Sequence, residues 1–341
     1  GASLIGFYRP DHAGDRTTGL ELGLNGYLAG QEGLAREIKA ANPRQDLGEV
    51  PIREAIHGKS MVLTIDSDLQ AICEDRLRDR IEDSGAKSGS VLMIDPRNGD
   101  VLAAASWPLV ETRKERHPDG RVWQNRNFTY QFEPGSVFKI FTAASLLRHG
   151  AIDTATAYLS DKVKGDGIYV DNDRKHKYGI LSLLEAFAKS SNVYFAKAVG
   201  NLSNREFYRD IKHFGFAQET LAPYPGQEPG ALREPSGWSG RSKQTLSIGQ
   251  ELTVTAIQLG MAVASVANGG ELYAPRMVKE IRNDRGEVIE KVQPVRMRRV
   301  MASPLADLLK DCLLYTSPSP RDRSAYLVCR LLLEKGGGGG G

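Results

Sequence analysis

The sequence predicts an α+β fold in which a largely antiparallel sheet carries helices gathered in clusters. Two hairpin signatures and three helical stretches carry that prediction. The apolar runs Ser90–Ile94 and Asp100–Ala105 flank Asp95-Pro96-Arg97-Asn98-Gly99, and Val278–Arg282 and Glu287–Val292 flank Asn283-Asp284-Arg285-Gly286. Both linkers hold turn-forming residues where the chain must reverse. Helical spacing recurs over residues 137–147, 181–199 and 255–267.

Taken in order, residues 1–58 are punctuated by Gly14, Gly19, Gly23, Gly26, Gly30 and Gly33 and read as turns and short helices of a small irregular domain. His57-Gly58-Lys59-Ser60 imitates the end of a phosphate loop, but the glycine required earlier would stand at Arg53. The next residues, Met61–Ile65, read as a strand and not the required helix. Asp66 or Ser67 can then cap a helix with Leu69, Ile72, Leu77 and Ile81 on its apolar stripe. After the first hairpin, residues 107–127 are polar, with Pro108, Pro118 and Gly120, and read as a loop. The segment Val137–Leu147 is apolar on every face, as a buried helix must be. The stretch from Thr255 to Ala267 stops at Asn268-Gly269-Gly270. There is no internal repeat.

Composition limits the function classes. The 341 residues suffice for one large domain and a smaller one, and 40% hydrophobic with 26% charged residues is a globular balance. A net charge of +3 from 45 basic and 42 acidic residues forms no nucleic-acid-type face. Cys73, Cys312 and Cys329 show neither metal-ligand spacing nor a disulfide framework, and the six histidines are scattered, so no metal or other cofactor is expected. No apolar run reaches the roughly 18 residues of a membrane helix. The chain opens at Gly1 with no signal peptide, which reads as a missing N-terminus.

Two Ser-x-x-Lys pairs are present, Ser84/Lys87 and Ser136/Lys139. The first lies in Asp-Ser-Gly-Ala-Lys-Ser-Gly-Ser, a polar stretch that reads as a solvated loop unable to hold a base. The second follows Pro134-Gly135 at the start of the buried helix. There, free backbone N–H groups favour a developing anion, and Lys139 lies one turn on along the same face. Core packing would desolvate its ammonium and leave a neutral amine able to accept the serine proton. The bland reading, a capping serine and a stray buried lysine, is expensive without a role. Ser190-Ser191-Asn192 stands between Leu-Leu-Glu-Ala-Phe-Ala and Val-Tyr-Phe-Ala, and reads either as helix capping or as a break that turns side chains toward a cleft.

EPGSVFK, KSSNVYF, LTIDSDLQ and SIGQELTVTAIQLGMAVASVANGG together resemble the class B penicillin-binding proteins, the monofunctional peptidoglycan D,D-transpeptidases. Asn125-Arg126-Asn127, Gly215-Phe216 and Glu228-Pro229-Gly230 also fit. Gly19-Leu20-Glu21 with Leu28-Ala29-Gly30 resembles the pedestal that precedes the catalytic domain. The likeness runs from about residue 4 to 311. It implies the penicillin-binding transpeptidase (serine β-lactamase-like) fold, with residues 1–58 as part of the pedestal and 59–312 as an incomplete transpeptidase domain. It also implies Ser136 as nucleophile, Lys139 as general base, Ser190 as proton shuttle and Asn192 as a ligand of the substrate's peptide amide. The Ser136 N–H would supply half of an oxyanion hole. The substrates implied are peptidoglycan stem peptides, with β-lactams acylating the same serine. The partners implied are a wall glycosyltransferase and division or elongation proteins. The location implied is the cytoplasmic membrane, through an anchor outside this sequence, with the catalytic domain on the periplasmic side.

One departure stands out. The family's Lys-Thr-Gly or Lys-Ser-Gly strand, expected after the helix that begins near Ser303, is absent. The chain runs instead into Leu313-Leu314-Tyr315-Thr316-Ser317-Pro318-Ser319-Pro320 and ends in Gly336–Gly341. Lys335-Gly336-Gly337 is a false echo of the motif. Residues 313–341 therefore read as a non-native tail, which leaves this chain short of activity and stability. The rival readings are a serine β-lactamase, against which the pedestal-like start speaks, and a non-catalytic β-lactam sensor or scaffold.

Overall fold

The computed structural model describes residues 1–7, 18–39, 46–109, 123–163, 165, 167–316 and 332–333. Strand β1 (Ser60–Leu63) runs into Asp66, whose carboxylate accepts from the N–H groups of Asp68 and Leu69, both at 3.0 Å, and so caps helix α1 (Ser67–Ser84). The buried face of α1 differs from the expected stripe. Gln70, Cys73, Leu77 and Ile81 are buried, whereas Ile72 is exposed. Gln70 is admitted to the interior because its amide accepts from Ala104 N at 2.8 Å and donates to Ala104 O at 3.3 Å. Ser84, expected in a loop, is the last residue of α1, and its hydroxyl donates to Arg80 O at 2.7 Å. The helical hydrogen-bond pattern outlasts the apolar pattern by one turn, and Gly85 ends it at φ 63°.

Strands β2 (Gly89–Asp95) and β3 (Asp100–Trp107) form the first hairpin, antiparallel from Gly89↔Trp107 to Asp95↔Asp100. Leu332–Leu333 pair antiparallel with Ser90 and Gly89 on the other side of β2. Strands β4 (Val278–Arg282) and β5 (Val288–Lys291) form the second hairpin, and β4 also pairs with β1. The two sheets meet where the Thr64 hydroxyl donates to Val101 O at 2.6 Å and the Arg276 guanidinium pairs with Asp100 at 2.8 Å.

Besides short helical turns before residue 130, the further helices are α2 (Lys139–Arg148), α3 (Leu183–Ala188), α4 (Asn192–Ala198), α5 (Asn204–His213), α6 (Ser242–Ser247), α7 (Ala256–Ala267) and α8 (Ser303–Thr316). Helix α7 starts from a Thr255–Gln258 capping box and lies on β2. Gly260 permits this, because a Cβ there would sit 2.8 Å from Ile94 and 2.9 Å from Leu92. Helix α2 packs against α4, α5 and α8. Its entry also differs from expectation. Gly135–Phe138 form a 3-10 turn before the α-helix begins at Lys139, and Val137, Ile140 and Leu147 are only partly buried. Phe138, Phe141, Phe214 and Phe216 fill the space beneath, with ring centroids 4.9–5.5 Å apart. Leu4, Leu20 and Leu24 belong to this same core, and the Tyr224 hydroxyl ties Ser3 O to Asn125 N at 2.8 and 2.7 Å.

Within the expected loop 107–127, Asn125 caps a short helical turn at Arg126–Thr129, and residues 110–122 lie outside the described residues. So do Gly14, Cys329 and most of the expected tail. The change of character expected at 313 falls inside α8, which continues to Thr316. Cys73 and Cys312 are buried.

Candidate active site

Two glycines set the turn that presents Ser136. Gly135, at φ 57°, donates its N–H to Gly249 O at 2.9 Å. Gly249, at φ 78°, lies so close that a Cβ on it would fall 2.1 Å from Gly135 O. The next N–H, that of Ser136, lies in the first turn, where no intrahelical carbonyl precedes it. The Ser136 side chain is exposed on this turn.

Three residues on, Lys139 is 1% exposed. Its Nζ stands 3.1 Å from Ser136 Oγ, 3.0 Å from Ser190 Oγ, 2.6 Å from Ser190 O and 2.7 Å from Asn192 Oδ1. The Phe195 ring centroid lies 5.9 Å away. Burial pushes the amine down to about 7 from its ordinary 10.5.

Ser190 reaches Lys139 from the break between α3 and α4. Helix α3 stops after Ala188, and Ser190 turns to φ 51°, a left-handed conformation that few serines adopt. Ser190 N and Ser191 N return to Phe187 O and Ala186 O at 3.0 and 2.9 Å, closing the end of α3. The Ser191 side chain then accepts from Tyr194 N at 3.2 Å and starts α4, with Asn192 as its first residue. Asn192 Nδ2 donates to Asp171 O at 2.8 Å, which leaves Oδ1 directed at Lys139.

The structure thus brings together all four residues singled out in the sequence: Ser136, Lys139, Ser190 and Asn192. It adds three to which the sequence reading gave no role. Gly249 closes the serine turn. Asn172, 3% exposed, grips Ser191 and Val193. Glu251, at φ 61°, accepts from Ser242, Thr245 and Arg233 and donates its N–H to Glu133 at 2.8 Å. Gly249 and Glu251 stand inside the family-like segment SIGQELTVTAIQLGMAVASVANGG with no role of their own, and Asn172 carries no local signal, since its partners at 191 and 193 are remote in sequence. Among the described residues, no group of three or more His, Cys, Asp or Glu is placed to hold a metal ion.

Comparison with known proteins fits this geometry. The family model for the penicillin binding protein transpeptidase domain matches residues 89–316. The chain belongs to this family. It is similar to the penicillin-binding protein PbpB of Mycolicibacterium smegmatis, at 30% identity over 84% of this chain and 45% of that protein. It is similar also to the probable peptidoglycan D,D-transpeptidase PbpC of Pseudomonas aeruginosa, at 28% identity over 88% of this chain and 53% of that one. Among solved transpeptidases, penicillin binding protein 3 of Mycobacterium tuberculosis in complex with aztreonam superposes with a TM-score of 0.79 at 26% identity, over 92% of this chain and 66% of that one. The chain spans about half the length of the curated relatives it matches. No helix among its described residues is long and apolar enough to cross a membrane.

Proposed function

We propose that this chain carries the acylating site of a peptidoglycan D,D-transpeptidase that is also a target of β-lactams. One observation carries the reading: the hydrogen-bond inventory around Lys139 Nζ. Ser190 O and Asn192 Oδ1 are carbonyl oxygens and can only accept, so they take two N–H bonds at 2.6 and 2.7 Å. A neutral amine has two N–H groups and one lone pair. That lone pair is left for a hydroxyl, and Ser136 and Ser190 both offer one at 3.0–3.1 Å. An amine held near 7 by burial is neutral often enough to use it.

The steps follow from these positions. Ser136 Oγ attacks the carbonyl carbon of the penultimate D-Ala while its proton passes to Lys139 Nζ. The carbonyl becomes an oxyanion facing the Ser136 N–H. As the tetrahedral centre collapses, the C–N bond breaks. The departing amine of the last D-Ala takes the proton from Lys139 through the Ser190 hydroxyl. The ester on Ser136 is then attacked by an amine of a neighbouring stem, which forms the cross-link and restores the serine. A β-lactam follows the same first half, except that its ring nitrogen stays tethered. Asn192 would orient the peptide amide of the donor stem. We further propose the cytoplasmic membrane, facing the wall, as the site of action, with a wall glycosyltransferase and division or elongation proteins as partners. Residues 1–58 would serve as pedestal, and a Lys-Thr-Gly or Lys-Ser-Gly strand would complete the domain after α8.

Labelling with a fluorescent penicillin tests the reading on the product of the complete open reading frame at the source locus. The expected result is a covalent adduct that survives denaturation, maps to Ser136 by peptide mass and disappears in Ser136→Ala. Absence of an adduct on folded protein sinks the reading, and rapid nitrocefin turnover replaces it with a β-lactamase.

A further inference from the structure

We infer that Asn172 is a positioning residue for acyl transfer: it fixes the Ser190–Asn192 break and thereby sets where the Ser190 hydroxyl and the Asn192 amide stand against Lys139. The inference rests on the acyl-transfer reading above and adds a residue that this reading does not contain.

Asn172 lies outside any helix or strand, yet it is buried. An amide side chain there is costly unless fully bonded, and this one is. Its Oδ1 accepts from Ser191 Oγ at 3.0 Å and Val193 N at 3.2 Å. Its Nδ2 donates to Ser160 O at 2.7 Å and His176 O at 3.0 Å. One end of the amide therefore holds the two residues that bracket Asn192, and the other holds its own loop. The preceding residue completes the clamp, because Asp171 O takes the Nδ2 of Asn192 at 2.8 Å.

Strain shows why a clamp is needed. Ser190 is left-handed at φ 51°, and a residue in that region stays there only when its surroundings over-determine it. Upstream, α3 holds Ser190 through its own N–H. Downstream, the hold is Asn172. The loop is strained for the same purpose. Arg174 and Lys175 are also left-handed, at φ 49° and 56°, and the turn they make brings Lys175 N to Asn172 O at 2.9 Å. Without the clamp, Ser190 can relax toward ordinary backbone angles, and that moves both its carbonyl and its hydroxyl away from Lys139.

A residue that merely folds the loop would affect stability and binding together. A positioning residue affects the chemical step. The test is the rate of acylation by a fluorescent penicillin against its concentration, on the product of the complete open reading frame, which separates the dissociation constant of the first complex from the acylation rate constant. Asn172→Ala is expected to lower the rate constant by about tenfold to a hundredfold, with the dissociation constant changed by less than about threefold. Ser191→Ala cuts one of the two contacts that Asn172 Oδ1 makes, together with the Tyr194 N–H cap, and leaves the Ser160 and His176 bonds intact, so it serves where Asn172→Ala does not fold, and it should lower the same constant. The double variant should lose less than the sum of the two single losses, because both cut the Ser191–Asn172 bond. The inference is overturned if a folded variant acylates at the wild-type rate, if the two losses add in full, or if the dissociation constant rises in step with the fall in the rate constant. Wild type labelled and variants unaffected overturns Asn172 alone; wild type unlabelled overturns the acyl-transfer reading and this inference with it.

Discussion

At the scale of single residues, the decisive fact about Lys139 is that burial alone lowers its amine to about 7. The protonated amine cannot accept the Ser136 proton, so the acylation rate should follow the neutral fraction. Below pH 7 the rate should fall by up to tenfold for each pH unit, and above pH 7 it should level off. Fluorescent-penicillin labelling rates from acid to mildly alkaline buffer check this, and a rate independent of pH would remove Lys139 as the base. The sequence made the pair readable, because a lysine in an apolar helix is an anomaly that asks for a reason. Ser84/Lys87 lacked that surrounding, and it indeed lies at an exposed helix end. Asn172 was not readable, and Gly249 stood only within a family-like segment, its own role unmarked. Their meaning lies in contacts with Ser191 and Gly135, and a buried asparagine in a polar stretch looks like any surface loop residue.

At the scale of elements, spacing located the helices and the hairpins but not their joints. Residues 137–147 carry an apolar pattern throughout, yet the first turn is 3-10, because the Gly135–Gly249 contact fixes how the chain enters it. Ile72 fell on the expected stripe and is exposed, since Gln70 uses its amide to pair with β3 and rotates the buried face of α1. The far end of α2 is pinned to α5 by a polar joint that no pattern marks. Ser145 donates to the buried carboxylate of Asp210, which also takes Arg148 at 3.2 Å and lies 2.9 Å from His149 Nε2. Asp210→Ala removes the shared acceptor and leaves Ser145 buried without it. The expected loss is about 2–4 kcal/mol of unfolding free energy, with a smaller loss for Asp210→Asn. Denaturant unfolding of both variants measures it, and an unchanged midpoint for Asp210→Ala would mean the joint contributes nothing.

At the scale of the whole molecule, the α+β class was legible because hairpins and helices are local events, while the assembly of one core was not. Leu4, Leu20 and Leu24 lie in glycine-rich sequence that suggested a separate irregular unit, yet they are buried with Phe138 and Phe216. The site sits in that continuous core, so the protonation of one residue within it bears on the stability of the whole. An unfolded chain holds the Lys139 proton up to its ordinary 10.5, whereas the folded chain releases it near 7. Between those values the unfolded state binds more protons, so folding is favoured as pH rises. This contribution is fully present above 10.5, is lost as pH falls to 7, and is flat below that. Within the window its slope approaches about 1.4 kcal/mol per pH unit, the value for one proton. Lys139→Met removes the titrating group and leaves the other ionisable groups in place. The difference in melting temperature, wild type minus Lys139→Met, should therefore climb steadily from pH 7 to pH 9 and stay constant from pH 5.5 to pH 6.5. A difference that does not change with pH would mean that the folded protein keeps this amine charged, and a charged amine has no lone pair to offer Ser136.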